Sequence, residues 1–514
     1  MPNEQGNVTT RRVREVVIVG GGTAGWMAAA ALSRYYNDGR RRITLIESDS
    51  IGTVGVGEAT IPPIRNFNAM LGIGESDFLA ATRGTFKLGI EFVNWGRNGD
   101  RYLHPFGTYG QDLHGIAFHQ LYLREAQLER QNAGSIAAYS MNAAAAAQGR
   151  FARPAAGAKS QLAELRYAYH FDASLYAALL RRLAEEQGVR RIEGKIGGVK
   201  RDGETGDLAS VILDGDRSIE GELFIDCSGF RGLLIEDALD TGFEDWSHWL
   251  PMDRAWAVPT GNAGSLAPFT RATAHNAGWQ WRIPLQHRTG NGHVFCSSYT
   301  DEDTARAMLL DHVEGEALAE PRLLKFRTGM RRKAWSHNVV SLGLSSGFLE
   351  PLESTSIHLI QNGIQRLSAL FPDWPIDPRD RDEYNRGMRE LYEDVRDFVI
   401  LHYKATQRDD SEFWRYVRDM KVPDSLAKRI DQWQRRGRVF RENAELFTLP
   451  SWVAVMLGQN VWPERHEPIA DTLDEAKVSQ AMSQMREAYR STAANLPSHE
   501  QFLRQSGAWH EELV

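Results

Sequence analysis

A chain of 514 residues, 42% of them hydrophobic, can bury a large core in more than one lobe. Its formal net charge of −7, with both signs mixed along the chain, gives no reason to expect a nucleic acid or an anionic membrane as a partner. The two cysteines, Cys227 and Cys296, exclude a disulfide framework or a zinc site built on them, predict no bound metal, and indicate the reducing cytoplasm.

The first predicted elements form a parallel βαβ unit. After a polar, flexible lead-in over residues 1–14, the apolar run 16–19 predicts a strand, residues 24–36 a helix and residues 43–47 a second strand. The arginines before the apolar run resemble a secretory signal, but Glu15 and the glycines interrupt it. We therefore prefer the strand, turn and helix, and we predict no transmembrane span elsewhere.

The turn of this unit has the spacing of a dinucleotide site. Gly20, Gly22 and Gly25 form G-x-G-x-x-G, which lets the backbone approach a pyrophosphate at a helix N-terminus, and Glu47 ends the second strand where an acid can bind the adenosine ribose. The simpler alternative is a glycine-rich turn that only packs a helix on a strand. Two later strand-to-glycine segments, FIDCSGF and VVSLGLSSGFLEP, favour an extended FAD. The lack of a second fingerprint for a nicotinamide nucleotide suggests that FAD arrives already reduced.

Residues 86–95 alternate as in a half-buried strand, with Phe86 and Leu88 on one face and Lys87 on the other. In the simpler interpretation Lys87 reaches solvent. If buried, its ammonium group could donate up to three hydrogen bonds and shift its pKa, which suits the positioning of an electrophile.

The remaining elements are assigned more coarsely. Residues 107–160 are predicted to be irregular with short helices, 176–187 a helix that Gly188 ends, 191–226 strands, and about 250–300 a mixed, mainly antiparallel sheet. Beyond residue 378 the chain is predicted to be helical, with amphipathic segments at 379–405, 410–420, 423–438 and 471–491.

Glu353 lies in GFLEPLESTSIHLIQNGI, just before a predicted amphipathic helix. Ser or Thr at such a junction is first of all a helix cap. Free amides at a helix start also bind anions, so a halide site is the functional alternative.

Several aromatic residues have two open interpretations. His104 and Phe106 in YLHPFG, and Trp452 in LPSWVAVM, either pack in the core or line an aromatic pocket. Trp279 and Trp281 in AGWQWRIPL share one face if the segment is extended. They form either ordinary core or a rigid aromatic wall, and Cys227 is predicted to be a small core residue.

Together these stretches resemble the flavin-dependent tryptophan halogenase family. The matching motifs, in the order of that family, are VVIVGGGTAGWMAAAAL, VGVGEATIPPI, FKLGIEFVNW, HPFG, FIDCSGFRG, GWQWRIPL and GFLEPLEST, with DVRDFVILHY in the helical C-terminal part. The combination of W-x-W-x-I-P with this lysine and this glutamate is specific.

The resemblance implies an α/β (α+β) fold. It comprises a Rossmann-like FAD-binding lobe of the flavin monooxygenase type over residues 1–375, with an interleaved mixed-sheet region at about 100–160 and 240–330. A mainly helical substrate lobe follows over 376–514. The implied partners are a separate flavin reductase and a small indole-type aromatic (indole, tryptophan or a derivative), with no nucleic acid and no membrane, and a homodimer is left open.

The implied reaction uses reduced FAD, O2 and bromide or chloride to form hypohalous acid, which passes through a tunnel to Lys87. Glu353 helps to orient the electrophile and stabilises the cationic ring. The resemblance also implies the binding residues. The residues that would contact FAD are Gly20, Gly22, Thr23, Ala24, Gly25, Glu47, Ala59, Ile196, Leu344 and Ile357. The halide would bind at Thr355 and Ser356, the substrate would contact His104, Phe106 and Trp452, and Trp279 and Trp281 would form the tunnel wall.

Two features depart from members of the family that act on free tryptophan. Ser356 stands where those members usually have Gly, which leaves bromide and chloride both open. FTLPSWVAVMLGQNVW stands where they carry a Tyr-Tyr and Glu cluster that holds the amino-acid backbone, which favours indole or another indole-like ring.

Two other functions stay open from the sequence. One is an FAD-dependent aromatic hydroxylase, which would insert oxygen and has no role for Lys87. The other is a non-catalytic FAD-binding or sensor protein.

Overall fold

The predicted βαβ unit lies in a six-stranded sheet at the start of the fold. The structure is a computed structural model that describes residues 10–36, 38–50, 57–128, 133–154, 160–442 and 444–510. The sheet order is Trp335–Ser336, Val339–Ser341, Leu223–Asp226, Glu15–Val19, Arg42–Glu47 and Arg190–Glu193. All neighbours are parallel except the first pair. Their carboxyl ends therefore meet at one edge, where open α/β sheets bind ligands.

A second, seven-stranded sheet forms the mixed region that the sequence predicts. Its order is Arg322–Lys325, Arg254–Thr260, Thr289–Phe295, Gly278–Pro284, Thr270–His275, Gly89–Val93 and Arg101–Pro105. Thr270–His275 and Gly89–Val93 run parallel, and the other pairs are antiparallel. The predicted mixed α/β architecture is confirmed.

In the ranges that the structure describes, four small sheets contain the other strands. They comprise Gly57–Ala59, Ala168–Asp172 and Thr85–Lys87; Ile196–Arg201, Leu208–Leu213 and Arg217–Glu220; Phe243–Asp245, Gly329–Arg331 and Gly347–Phe348; and Arg11–Arg12 with Asp373–Trp374.

The α-helices are Thr23–Tyr36, Ile64–Met70, Glu75–Ala81, Phe118–Leu128, Met141–Ala147, Ala173–Glu186, Glu302–His312, Ser356–Ala369, Pro378–Lys404, Glu412–Asp419, Asp424–Arg436, Leu449–Gly458, Glu475–Ala494 and His499–Gln505. Short 3-10 or π turns occupy Ile136–Tyr139, Gln161–Glu164, Gly229–Arg231, Leu233–Ala238, Gly343–Ser345, Pro351–Glu353 and Pro468–Thr472.

Helices from the C-terminal part of the chain pack against elements from its N-terminal part. Thr23–Tyr36 packs against Ser356–Ala369, which in turn packs against the long helix Pro378–Lys404. Leu449–Gly458 packs on the strand Arg101–Pro105. The C-terminal helices thereby contact strands from the first quarter of the sequence, and the division of the chain at residue 375 stays a prediction. Within the described ranges, no helix has the length and apolarity needed to cross a membrane.

Two predicted elements are wrong in detail. The lead-in is not wholly flexible, because Arg11 and Arg12 pair with Trp374 and Asp373 and Val13 is buried, while residues 1–9 lie outside the described residues. The predicted strand 86–95 divides at Leu88, whose amide donates to Pro268 O, into Thr85–Lys87 in a small sheet and Gly89–Val93 in the seven-stranded sheet. Both faces are covered where the chain passes between two sheets, so the half-buried pattern does not apply.

Candidate active site

Lys87 ends the strand Thr85–Lys87 and is 0% exposed. Its Nζ donates a hydrogen bond to Ser354 Oγ at 2.7 Å and lies 5.3 Å from the centre of the Phe106 ring. Burial lowers the pKa of Lys87 to about 7, although the negative charge of Glu353 opposes the shift. The interpretation in which this lysine reaches solvent is therefore wrong.

The turn after Glu353 explains how Ser354 reaches the lysine. Pro351–Glu353 forms a 3-10 turn, and Ser354 then adopts a left-handed conformation with φ of 58°. A non-glycine residue in this region is uncommon and is retained when its surroundings require it. The reversal presents Ser354 Oγ to Lys87 immediately before the helix Ser356–Ala369 begins.

Glu353 lies between two histidines from different elements and is 1% exposed. His104 Nδ1 lies 3.0 Å from both carboxylate oxygens, and His402 Nε2 lies 2.8 Å from Oε1. Burial would raise the pKa of Glu353, but the charge and hydrogen bonds of the two imidazoles outweigh it and lower the pKa to about 2. The carboxyl group is therefore ionised at neutral pH.

Sequence reasoning gave no role to His402. It lies near the end of the helix Pro378–Lys404, within the stretch DVRDFVILHY that matched the family. The available signal was a polar residue four positions after Phe398, on the same face of an otherwise apolar helical segment. That spacing does not predict that His402 contacts Glu353.

Aromatic side chains surround the histidine side of this centre. The Phe398 and Phe447 rings stack with centroids 3.8 Å apart, and Trp452 meets Phe398 edge-on at 5.3 Å. The His104 ring lies 5.7 Å from Phe398 and 6.4 Å from Phe447. The structure thus brings His104 and Trp452 around the same two rings, and sequence reasoning missed both phenylalanines.

The start of the helix Ser356–Ala369 has an unused polar group. Thr355 is the residue before the helix, its side chain makes no capping bond, and its Oγ1 is buried without a hydrogen-bond partner among the described residues. The first amides of a helix also lack acceptors within the helix. The simple capping interpretation is therefore wrong for Thr355, and the chemistry suits an anion.

The glycine-rich turn packs against two other loops at the carboxyl edge of the first sheet. A Cβ on Gly20 would lie 2.3 Å from Cys227 O, and a Cβ on Gly25 would lie 1.8 Å from Gly20 O. The turn Gly343–Ser345 packs against Ala24. Gly343 has φ of +68°, and a Cβ on Gly343 would lie 2.8 Å from the Ala24 Cβ. Backbone from three segments therefore packs closely at this edge, and a side chain at any of these glycines would clash with it.

Glu47 lies at the same edge with its carboxylate already in contact with other groups. Oε1 accepts a hydrogen bond from Arg191 Nε at 2.6 Å, and Oε2 accepts one from Trp26 Nε1 at 3.3 Å. Ile196 begins the strand that follows Arg190–Glu193, the neighbour of Arg42–Glu47, and so lies toward this end.

The other predicted cofactor contacts are placed as follows. Gly22 O accepts the first helical bond from Trp26, Thr23 begins the first helix, Ala59 is buried at the end of Gly57–Ala59, Leu344 is 37% exposed, and Ile357 is buried in the first turn of its helix. Residues 51–56, which include part of the motif VGVGEATIPPI, lie outside the described residues.

The two tryptophans of AGWQWRIPL lie in the extended strand Gly278–Pro284, as predicted. Both are buried, with ring centroids 6.2 Å apart. Trp279 Nε1 donates to Glu350 Oε2 at 3.3 Å, and burial raises the pKa of Glu350 to about 7. Sequence reasoning missed Glu350, and whether the tryptophans separate two binding sites stays a prediction.

The cysteines are both free. Cys296 is buried, whereas Cys227 is half-buried directly after the strand Leu223–Asp226, so its prediction as a core residue holds only in part.

Comparison with known proteins gives one family. A family profile described as "Tryptophan halogenase" matches residues 15–475. The tryptophan 6-halogenase SttH from Streptomyces toxytricini is 34% identical, over 97% of this chain and 99% of that protein.

Two solved structures share the whole architecture. The flavin-dependent halogenase Xcc4156 from Xanthomonas campestris superposes with a TM-score of 0.94 at 49% identity, covering 98% of this chain and 100% of the other. BrvH, a flavin-dependent halogenase from Brevundimonas sp. BAL3, gives a TM-score of 0.93 at 47% identity, covering 97% and 99%.

Proposed function

The chain belongs to the tryptophan halogenase family, and on that premise we propose that it halogenates an indole-type ring through Lys87 and Glu353. The enzyme is an FAD-dependent oxidoreductase that works with a separate flavin reductase, as its family does. The observation that carries the proposal for the site is the completely buried Lys87 beside an ionised Glu353.

The three closely packed loops at the carboxyl edge of the first sheet suit FAD. Gly20, Gly25 and Gly343 allow backbone to approach backbone where a side chain would clash, and the helix beginning at Thr23 supplies free amides for a pyrophosphate. Glu47 stands where it can accept from the ribose, with Arg191 holding its carboxylate in place. The chemistry that bound, reduced FAD supplies with O2 is oxidation of the halide to hypohalous acid.

Lys87 holds the oxidised halogen near the substrate in this proposal. With a pKa of about 7, its Nζ exchanges its proton near neutral pH. The protonated amine can donate a hydrogen bond to the electrophile, and the neutral amine can bond to the halogen through its lone pair. Ser354 and Phe106 fix the position of Nζ in either state.

Glu353 stabilises positive charge on the ring under attack. Its carboxylate is ionised and buried, so its charge is poorly screened by water. Thr355 and Ser356 would hold the halide, which the unpartnered Thr355 hydroxyl and the free helix amides support. Ser356 keeps bromide and chloride both as candidates.

The aromatic lining favours a flat, uncharged substrate. His104, Phe106 and Trp452 would contact the ring, together with Phe398 and Phe447. Trp279 and Trp281 would form a rigid barrier that keeps the organic ring away from FAD, and the bond from Trp279 to Glu350 supports that rigidity.

The test supplies the enzyme with a flavin reductase, FAD, NADH, O2, indole, and either bromide or chloride. We expect product masses that contain halogen, with the halide determining which one. Oxygenated products without halogenated species would instead support an aromatic hydroxylase, and FAD binding without turnover would support a non-catalytic protein.

A further inference from the structure

The contact between His402 and Glu353 identifies where one proton lies. His402 Nδ1 is 2.9 Å from Phe398 O, and a carbonyl oxygen only accepts, so Nδ1 carries a hydrogen. If the ring were neutral, Nε2 would be a bare acceptor. Yet Nε2 lies 2.8 Å from Glu353 Oε1, which is also an acceptor when ionised.

Two acceptors at this distance repel unless one of the two groups carries an additional proton. That proton belongs either to His402, which is then an imidazolium, or to Glu353, which is then a neutral acid. The contact does not meet the angular requirement of a hydrogen bond, so attraction between charges, rather than alignment, is what joins the groups.

The opposite side of Glu353 decides between the two states. His104 Nδ1 lies 3.0 Å from both Oε1 and Oε2, a symmetric arrangement in which one N–H is shared by two acceptor oxygens. An ionised carboxylate offers two equivalent acceptors, whereas a protonated one does not. The low pKa of Glu353 agrees with this assignment.

We propose that His402 is a positioning residue, present as an imidazolium, that keeps Glu353 ionised and fixed beside Lys87. This role in the reaction rests on the proposed function, although the charge state of His402 does not. His402 is 0% exposed, so its only route to stabilisation as a cation is a nearby anion. Glu353 supplies that charge.

The charges around the pair are consistent with this assignment. The groups that face it are His104 and Tyr102 from the strand Arg101–Pro105 and Lys87 from the strand Thr85–Lys87. Lys87, with a pKa of about 7, is only partly charged at neutral pH, and burial keeps the pKa of Tyr102 well above its usual range, so that phenol stays neutral.

The charge state can be read without any turnover. In full-length protein with FAD and with 13C- and 15N-labelled histidine, we expect an imidazolium signal that persists at pH 8, where ordinary histidines are neutral. It should be lost in Glu353→Gln. A wild-type spectrum with only neutral histidines at pH 8 would overturn the proposal, whatever the outcome of the halogenation assay.

The role in the reaction is tested by the pH profile of His402→Gln. Without the cation, burial raises the pKa of Glu353, so the carboxylate is lost as pH falls. The ratio of variant rate to wild-type rate should fall roughly tenfold between pH 8 and pH 5.5, because a carboxyl group whose pKa lies about one unit above the lower pH is only about one-tenth ionised there. A residue that only supports the fold would lower the rate by the same factor at every pH, and a constant ratio would contradict the proposal.

His293→Gln is the matched control. His293 is also buried and bonds through Nδ1 to a backbone carbonyl, that of Ala305 at 3.0 Å, but its Nε2 has no hydrogen-bond partner in the described part of the chain. We expect the ratio of its rate to the wild-type rate to be independent of pH. A tenfold fall in this control too would show that loss of any buried histidine moves the profile, and would remove the support for His402.

Discussion

Lys87 places a titratable amine in a fully enclosed site, where its hydrogen bond goes to the neutral hydroxyl of Ser354. Lys87→Met keeps an unbranched side chain of similar length and removes the amine. We expect FAD binding and O2 consumption to persist while halogenation falls below detection, measured by product mass. Lys404→Met is the control, since Lys404 Nζ bonds to backbone carbonyls of Arg418 and Met420. Normal halogenation by Lys87→Met would refute the role of Lys87.

The same variant has a defined effect on stability. The pKa of Lys87 is about 7 in the folded protein and 10.5 in the unfolded chain. Between these two pH values the unfolded chain binds more protons than the folded protein, so the free energy of unfolding rises with pH. Lys87→Met should therefore stabilise the fold most at pH 7 and below. This advantage should shrink as pH rises toward 10, measured by urea unfolding of both proteins. An advantage that is constant across this range would mean that the lysine is not desolvated.

Glu353→Gln keeps the shape of the side chain and removes its charge. We expect the halogenation rate to fall by roughly 10²–10⁴-fold, the range for a positioned charge or acid–base group. Glu350→Gln, measured at pH 6, is the control. With a pKa of about 7, Glu350 is mainly protonated there and an amide is a close mimic. Equal losses in both variants would show that the segment, and not the charge of Glu353, is being disturbed.

At the residue scale, the sequence predicts which groups are candidates for the site but not their burial or charge. Lys87 and Glu353 could be picked out from their motifs. The burial of Lys87 could not, because it depends on the passage of the chain between two sheets. His402 was missed because its importance comes from a contact with Glu353, and no local spacing connects the two.

At the element scale, the strand Gly278–Pro284 depends on a glycine in its neighbour. Trp281 pairs with Gly292, and a Cβ on Gly292 would lie 2.1 Å from the Trp281 ring. Gly292→Ala should displace this ring and lower the free energy of unfolding by about 1–3 kcal/mol, the usual cost of overpacking. Urea unfolding measures it.

Gly198→Ala is the matched change for that experiment. Gly198 also lies in a strand, Ile196–Arg201, but a Cβ there has nothing within 4 Å. We expect its effect on unfolding to be within about 0.5 kcal/mol of zero, as for most surface substitutions. If Gly292→Ala is equally harmless, Trp281 is not held against that strand.

Elements with a strong local period were the predictable ones. The first strand, helix and strand, and the long C-terminal helices, agree with their sequence patterns to within a few residues. The segment 86–95 did not, because the alternation of apolar residues cannot reveal that a second sheet covers the other face. The pairing of Arg11 and Arg12 with residues 373–374 was equally hidden, since both strands are two residues long.

At the scale of the whole molecule, the centre is assembled from segments that are distant in sequence. Lys87 and His104 come from strands in different sheets, Glu353 from a turn before a helix, and His402 from the end of another helix. The packing of Leu449–Gly458 on Arg101–Pro105 brings Trp452 to the same place. The family resemblance could predict most of this set, and physical patterns in the sequence alone could not.

The charged groups around the aromatic lining also indicate which substrate to expect. Besides Lys87 and Glu353, Arg429 also lies at the aromatic lining, with its guanidinium 5.1 Å from the Trp452 ring, and it is already paired with the buried carboxylate of Glu445. The zwitterionic part of free tryptophan would lose water here, and Arg429 is not free to pair with its carboxylate, which makes its burial costly. Indole has no such group.

We therefore expect kcat/KM for bromination of indole to exceed that for free tryptophan by at least about tenfold, which corresponds to about 1.4 kcal/mol. Competition between the two substrates, read by mass spectrometry, measures the ratio directly. Arg429→Gln tests whether Arg429 is unable to bind the carboxylate of tryptophan. If Arg429 only supports the fold, the variant changes kcat/KM for both substrates by the same factor. A loss of kcat/KM confined to tryptophan would instead make Arg429 a carboxylate-binding residue. A wild-type preference for tryptophan would contradict this expectation. It would mean that the charged part of tryptophan binds a group of opposite charge, although Arg429 is already paired with Glu445.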